Sequence, residues 1–351
     1  MFKIKSTLAA FLSAAITLTS VGCGSSDSSS SGSAAPGANG KGLKIVCTIF
    51  PEYDWVREIL GDKASSAELT YLLDSGVDLH SYQPTAEDIL NISSCDMFVY
   101  VGGESDEWVE EALSQAANKD MKVINLMEVM GDKAKVEELK EGMQESEHEH
   151  DHEEGEEEHD EEEHDHEHEE GEEEYDEHVW LSVQNAKILC AEIEKNLETL
   201  DPDGKDTYKA NLDTYAAKLD TLDNDFKTLF EGADKPTLIF GDRFPFRYFV
   251  DDYGVDYYAA FVGCSAETEA SFETITFLAD KLNETGNDTV YTIENSDGKI
   301  AESIINSSKD KNQSKAVLNS VQSVSKEDID GGTTYLSLMQ ENYETLKADL
   351  G

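Results

Sequence analysis

The stretch YKANLDTYAAKLDTLDNDFKTL, residues 208–229, decides the architecture of this chain. Its apolar residues Tyr208, Leu212, Tyr215, Leu219, Leu222, Phe226 and Leu229 are spaced 4, 3, 4, 3, 4, 3. That stripe covers one face of an α-helix and predicts about 27 helical residues, roughly 40 Å at 1.5 Å per residue. One such stripe without a partner segment is weak support for a coiled coil, so we read it as a single helix bridging two lobes. A continuous helix resists flexure better than a loop, so this spine limits hinge bending. A preceding helix is predicted from about Val183 to Leu200, where the turn Asp201-Pro202-Asp203-Gly204 stops it.

Four β-rich runs lie before these helices, at Lys44–Phe50, Glu68–Leu73, Met97–Val101 and Lys122–Leu126. Four more follow, at Thr237–Gly241, Val255–Ala260, Thr289–Glu294 and Ala316–Val321. Helix-compatible segments separate them, which is the pattern of a parallel α/β sheet. The expected fold class is α/β: two similar parallel-sheet lobes bridged by the spine, with a ligand site in the interlobe cleft. An N-terminal lobe spans 43–182, linking helices 183–235 and a C-terminal lobe 236–351. Roughly 310 residues after the N-terminal segments exceed what one core usually serves.

The first 22 residues read as a signal peptide. Lys3 and Lys5 precede a short apolar stretch from Leu8 to Leu18, too short to span a bilayer comfortably. Small residues lead into Gly22-Cys23, a pattern that resembles a bacterial lipoprotein signal, although Ser20 stands where Leu is usual. The resemblance implies lipidation at Cys23 and attachment to the outer face of the bacterial cell membrane. Residues 23–42, rich in Ser, Gly and Ala, then act as a flexible tether. The other cysteines, Cys47, Cys95, Cys190 and Cys264, have spacing that fits neither a disulfide framework nor a paired-cysteine zinc motif. They read as mostly free and buried, with one bridge open to them in an oxidising compartment.

The formal net charge is −49, and residues 145–177 carry −22 of it through 22 Asp/Glu. Such a surface repels nucleic acid and draws in cations. The same run holds seven of the nine histidines: His148, His150, His152, His159, His164, His166 and His168. Imidazole and carboxylate are ligands for divalent transition metals, and a run this polar cannot bury a core. We read it as a disordered auxiliary metal-binding loop. Its H-E-x-x-H match, His148 to His152, lacks the packed helix and substrate cleft that zinc proteolysis needs.

The remaining histidines are His80, in Asp78-Leu79-His80-Ser81-Tyr82-Gln83-Pro84-Thr85-Ala86-Glu87-Asp88, and His178, in Asp176-Glu177-His178-Val179-Trp180-Leu181. With Asp201-Pro202, Tyr208, Asn211, Tyr248-Phe249, Tyr253-Gly254, Glu267-Thr268-Glu269 and Thr334 to Met339 with Asn342, they resemble the metal-binding lipoproteins of ABC importers for zinc and manganese. The resemblance covers Lys44 to Leu350. It implies His80 and His178 as ligands of one Zn²⁺, because a His- and acid-rich loop before the second ligand marks the zinc members. It implies an extracytoplasmic monomer, a binding protein and not an enzyme, that delivers zinc to an ABC permease with its ATPase. Manganese or iron specificity, or a surface adhesin or metal buffer, are the competing readings.

One departure bears on the site. The position of the family's third ligand is Arg243, whose protonated guanidinium does not ligate metals, and the usual late Asp appears as Asn319. Glu294 is the expected replacement, since it ends an apolar strand and should face the cleft. Asp242 is second, and an ion pair between Arg243 and Glu294 is the competing arrangement.

Overall fold

Short apolar runs alternating with amphipathic helices build two four-stranded parallel sheets, in a computed structural model that describes residues 42–144, 174–234, 236–265 and 267–351. The first lobe contains β1 (Lys44–Cys47), α1 (Phe50–Leu60), β2 (Glu68–Tyr71), α2 (Ala86–Ser94), β3 (Met97–Tyr100), α3 (Trp108–Ser114), β4 (Lys122–Asn125) and α4 (Leu126–Met130). The linking helices are α5 (Val183–Leu200) and α6 (Lys205–Gly232). The second lobe contains β5 (Thr237–Phe244), α7 (Arg247–Tyr253), β6 (Asp256–Val262), α8 (Phe272–Thr285), β7 (Thr289–Thr292), α9 (Lys299–Ser307), β8 (Ser314–Val317), α10 (Lys326–Asp330) and α11 (Tyr335–Leu350). The sheets run β2-β1-β3-β4 and β6-β5-β7-β8, so the second lobe repeats the topology of the first. In each, the strand order reverses beside the first strand, and ligands bind at the carboxyl ends of such sheets.

All eight expected strands are present, and their ends differ for local reasons. The run through Phe50 leaves the sheet at Cys47, because Pro51 favours a first helical turn and Glu52 caps it. The Glu52 carboxylate accepts from the Thr48 amide at 2.8 Å and hydroxyl at 3.1 Å, and from the Ile49 amide at 3.2 Å. The last strand ends at Val317 and not Val321. There Asn319 Oδ1 takes the Val321 amide at 2.6 Å, and Val321 turns the chain at a positive φ of 65°. Strand β5 runs on past Gly241 to Phe244 with a register slip between Phe240 and Arg243. Gly241 lets α9 approach, since a Cβ there would lie 2.5 Å from Ala301 Cα.

The spine helix is 28 residues long, and Tyr208, Tyr215, Leu219, Leu222 and Phe226 of the predicted stripe are buried. Leu212 and Leu229 are half-buried, and Phe230 closes the stripe. Its N-terminal half is held to the first lobe by Asn211 Nδ2, which donates to the Ile59 carbonyl at 2.9 Å. Its C-terminal half meets the second lobe through Phe226, edge-on to Phe249 at 4.9 Å and to Tyr343 at 5.5 Å. One apolar core runs through both lobes, joining Trp55 and Phe98 to Phe240, Tyr291 and Tyr335, and a smaller one fills the far side of the second sheet. This continuity makes free rotation of the lobes costly.

Candidate metal centre

His80 and His178 are built by the same local device. Asp78 caps a single helical turn, and its Oδ1 accepts the His80 amide at 3.0 Å and ring Nδ1 at 2.7 Å. Asp176 Oδ1 takes the His178 amide at 2.8 Å and ring Nδ1 at 3.0 Å. A carboxylate against Nδ1 holds the proton there and leaves the Nε2 lone pair free, the arrangement seen around metal-ligating histidines. Both Nε2 atoms are buried without a partner. The ring centroids stand 5.2 Å apart.

Each device is anchored to the opposite lobe. Asp78 Oδ2 pairs with the Arg243 guanidinium of β5 and accepts from Gln322 Nε2 at 3.1 Å. Burial alone would raise the Asp78 carboxyl, but the His80 hydrogen bond and the Arg243 charge hold it well below the usual carboxylate range. The same Gln322 accepts the Leu79 amide at 3.2 Å. On the other side, Tyr248 Oη donates to the Asp176 carbonyl at 2.8 Å and accepts the Lys135 amide at 2.9 Å. Trp180 Nε1 donates to the Ser320 carbonyl at 2.8 Å. Its ring centroid lies 5.1 Å from that of His178, which is fully buried.

The other expected residues are placed differently. Arg243 pairs with Asp78, so an Arg243–Glu294 contact is not what holds it. Glu294 lines a cleft of about 320 Å³ with His80, Asp242 and Arg243, but both its oxygens already accept from Ser320. Ser320 gives its amide at 2.7 Å and its hydroxyl at 2.5 Å. Asp242 Oδ1 takes the Arg243 amide at 2.9 Å, while its Oδ2 is buried without a partner. Asn319 serves the backbone of its own turn and receives a bond from Asn342 Nδ2 on its carbonyl at 2.8 Å. Cys23 and the seven histidines from His148 to His168 lie outside the described residues.

The acidic run does not extend to residue 177 as a loop. Its last residues belong to the fold: Tyr175 bridges to Val136, and Asp176 and Glu177 are each only 2% exposed. Sequence reasoning missed Glu177 because composition hid it among its acidic neighbours. Its Oε1 accepts the Ser105 amide at 2.8 Å, and its Oε2 is buried, unpartnered and 4.0 Å from His80 Nε2. Cys264, also missed, follows β6, and its backbone amide is held by Glu137 Oε1 at 3.0 Å. Donor atoms of His80, Glu177 and Cys264 lie within 4.8 Å of one another. All four described cysteines are free. The usable signal was topological: Cys264 follows the second strand of its lobe, as His80 does.

The acidic groups around this cluster resist ionisation. Burial pushes the Asp106 carboxyl up to about 7, with Glu177 adding to it, and pushes Glu177 itself above its ordinary range. Burial and the carboxylates of Asp176, Glu137 and Glu177 raise the Cys264 thiol well above its usual value. Groups that oppose one another's ionisation in this way are stabilised together by a divalent cation, whose charge inverts the local balance.

A family model described as zinc-uptake complex component A, periplasmic (ZnuA), matches residues 45–349. The chain belongs to this family. The high-affinity zinc uptake system protein ZnuA of Bacillus subtilis (strain 168) is 32% identical over 350 residues, covering 100% of this chain and 99% of that protein. The zinc-binding lipoprotein AdcA of Streptococcus pneumoniae serotype 4 is 30% identical over 310 residues, 88% of this chain and 56% of its own. The chain thus spans little more than half the length of that ZnuA-family relative. The crystal structure of the Zn(II)-bound ZnuA-like domain of Streptococcus pneumoniae AdcA has a TM-score of 0.63 at 27% identity, covering 88% of this chain and 99% of that one. The two-lobe α/β fold is the fold of this family.

Proposed function

We propose that this chain is the extracytoplasmic zinc-binding component of an ABC importer, capturing Zn²⁺ in the cleft and handing it to a membrane permease driven by its ATPase. The observation that carries this reading is the pair of buried imidazoles, each oriented by the aspartate two residues before it, with Nε2 free. Family membership and the zinc uptake named for the Bacillus subtilis relative support zinc as the cargo. His80 and His178 each supply one neutral nitrogen, at the 2.0–2.1 Å typical of Zn–N bonds. The run 145–173 gathers zinc weakly and raises its local concentration near His178.

Removing residues 145–173, and leaving Glu174 to Glu177 in place, should lower total zinc stoichiometry to about one while the tight site persists. Equilibrium dialysis at buffered free zinc measures both. Loss of the tight site in that deletion would assign a primary ligand to the run and make the chain a metal buffer instead.

Cys23 carries the lipid anchor in this reading. Stable attachment takes two membrane signals, since a single chain binds only marginally. Cells expressing the Cys23→Ser variant should release the protein into the soluble fraction. Retention of that variant in the membrane fraction would point to another anchor.

A further inference from the structure

On β5 the expected ligand position holds Arg243, whose guanidinium is committed to Asp78, and Glu294 after β7 is committed to Ser320. Asp242 Oδ2 on β5 is unpartnered, but it belongs to no cluster of three or more donors among the described residues. A different second-lobe residue, Cys264, reaches His80. Cys264, Glu177 and His80 line one cavity of about 220 Å³ together with Glu137 and Ser105. Their donor atoms lie within 4.8 Å of one another, and His80 Nε2 and Glu177 Oε2 are buried without partners. Glu177 is held by the Ser105 amide through its other oxygen, so its Oε2 is aimed and not loose. His178 stands beside the group, with Gly263, the neighbour of Cys264, against its ring. A Cβ at Gly263 would come within 3.1 Å of His178 Cε1 and Nδ1.

We infer that Cys264 Sγ, as a thiolate, and Glu177 Oε2 complete the zinc site begun by His80 and His178. This rests on the zinc-capture reading above. Two imidazoles, one thiolate and one carboxylate are all ordinary zinc donors and together close a tetrahedron. On binding, the Cys264 S–H bond is replaced by S–Zn, and the proton leaves to solvent; no electron is transferred. Because Cys264 follows β6 and His80 follows β2, the ion ties the two lobes through equivalent positions of their sheets. A soft thiolate also favours Zn²⁺ over Mn²⁺, which prefers oxygen donors. Arg243 is then a positioning residue that fixes Asp78, and through it the His80 ring.

Cobalt(II) in place of zinc tests this directly, because a thiolate ligand adds a sulfur-to-cobalt charge-transfer band in the near ultraviolet. Histidines and carboxylates of the 145–173 run give no such band, so the full chain can be used. The wild-type chain with one equivalent of Co²⁺ should show the band. Cys264→Ser should lose it and bind zinc at least tenfold more weakly. Glu177→Gln should keep the band while also losing affinity. A wild-type spectrum without the band, or a band that survives in Cys264→Ser, overturns the assignment. If the histidine variants lose zinc but Cys264→Ser does not, this inference fails and zinc capture stands. If His80→Ala and His178→Ala both keep the tight site, the parent reading fails and this one with it.

Discussion

Alanine in place of His178 should weaken the tightest zinc binding by about two to three orders of magnitude. A structural zinc site contributes roughly 10–16 kcal/mol over four ligands, so one imidazole accounts for about 2.5–4 kcal/mol. At 1.4 kcal/mol per tenfold, that is the expected loss. His80→Ala should act similarly on affinity but disturb the fold less, because the His80 side chain is 8% exposed whereas that of His178 is 0% exposed. His178→Gln separates the two effects by keeping most of the volume while removing the imidazole. The measurement is competition against a chelator at buffered free zinc, so that weak sites in the acidic run stay empty. Thermal unfolding in excess chelator checks that each variant folds. If either alanine variant holds zinc within about threefold of wild type, the paired-histidine site is not where the chain captures its metal.

How far the sequence could be read depended on the range of the interaction. The spine was legible because a 4, 3 spacing over 22 residues is the signature of one buried helical face. His80 and His178 were legible through the motifs Asp78 to Asp88 and Asp176 to Leu181, whereas the orienting bonds from Asp78 and Asp176, though only two positions away, came from the structure. By contrast, the Arg243–Asp78 pair joins the two lobes, and no local pattern signals it. The placing of Glu294 at a strand end facing the cleft matched the structure, but the Ser320 bonds that occupy it come from the turn after β8. Cys264 was grouped with the other free cysteines because cysteine spacing is uninformative for a single thiol brought in by the fold. Strand ends moved where a side chain captured the backbone, as Glu52 does after β1 and Asn319 after β8.

The largest stability loss from a single substitution should come at Trp180. The segment from Asp176 to Leu181 leads from the first lobe into the linking helices, and Trp180 is its fully buried anchor. Its Nε1 donates to the Ser320 carbonyl at 2.8 Å, and its own carbonyl accepts Tyr335 Oη at 2.8 Å. Tyr335 in turn packs edge-on against Trp55 of α1 at 5.1 Å, so one contact chain links both lobes through the Trp180 residue, its indole on one side and its main-chain carbonyl on the other. Trp180→Ala should cost about 3–5 kcal/mol, the range for deleting a buried aromatic. It also leaves the Ser320 carbonyl without its donor, which adds roughly 1–3 kcal/mol if water does not reach it. Trp180→Phe keeps most of the packing and loses only the N–H, so its cost should approach that smaller figure. Urea unfolding of the zinc-free chain gives both values from the shift in midpoint at constant slope. Because the indole also backs the His178 ring, Trp180→Ala should weaken zinc as well, whereas Trp180→Phe should nearly restore it. A Trp180→Ala midpoint close to wild type would mean that the lobes are held by the spine alone and that the segment from Asp176 to Leu181 contributes little to holding them.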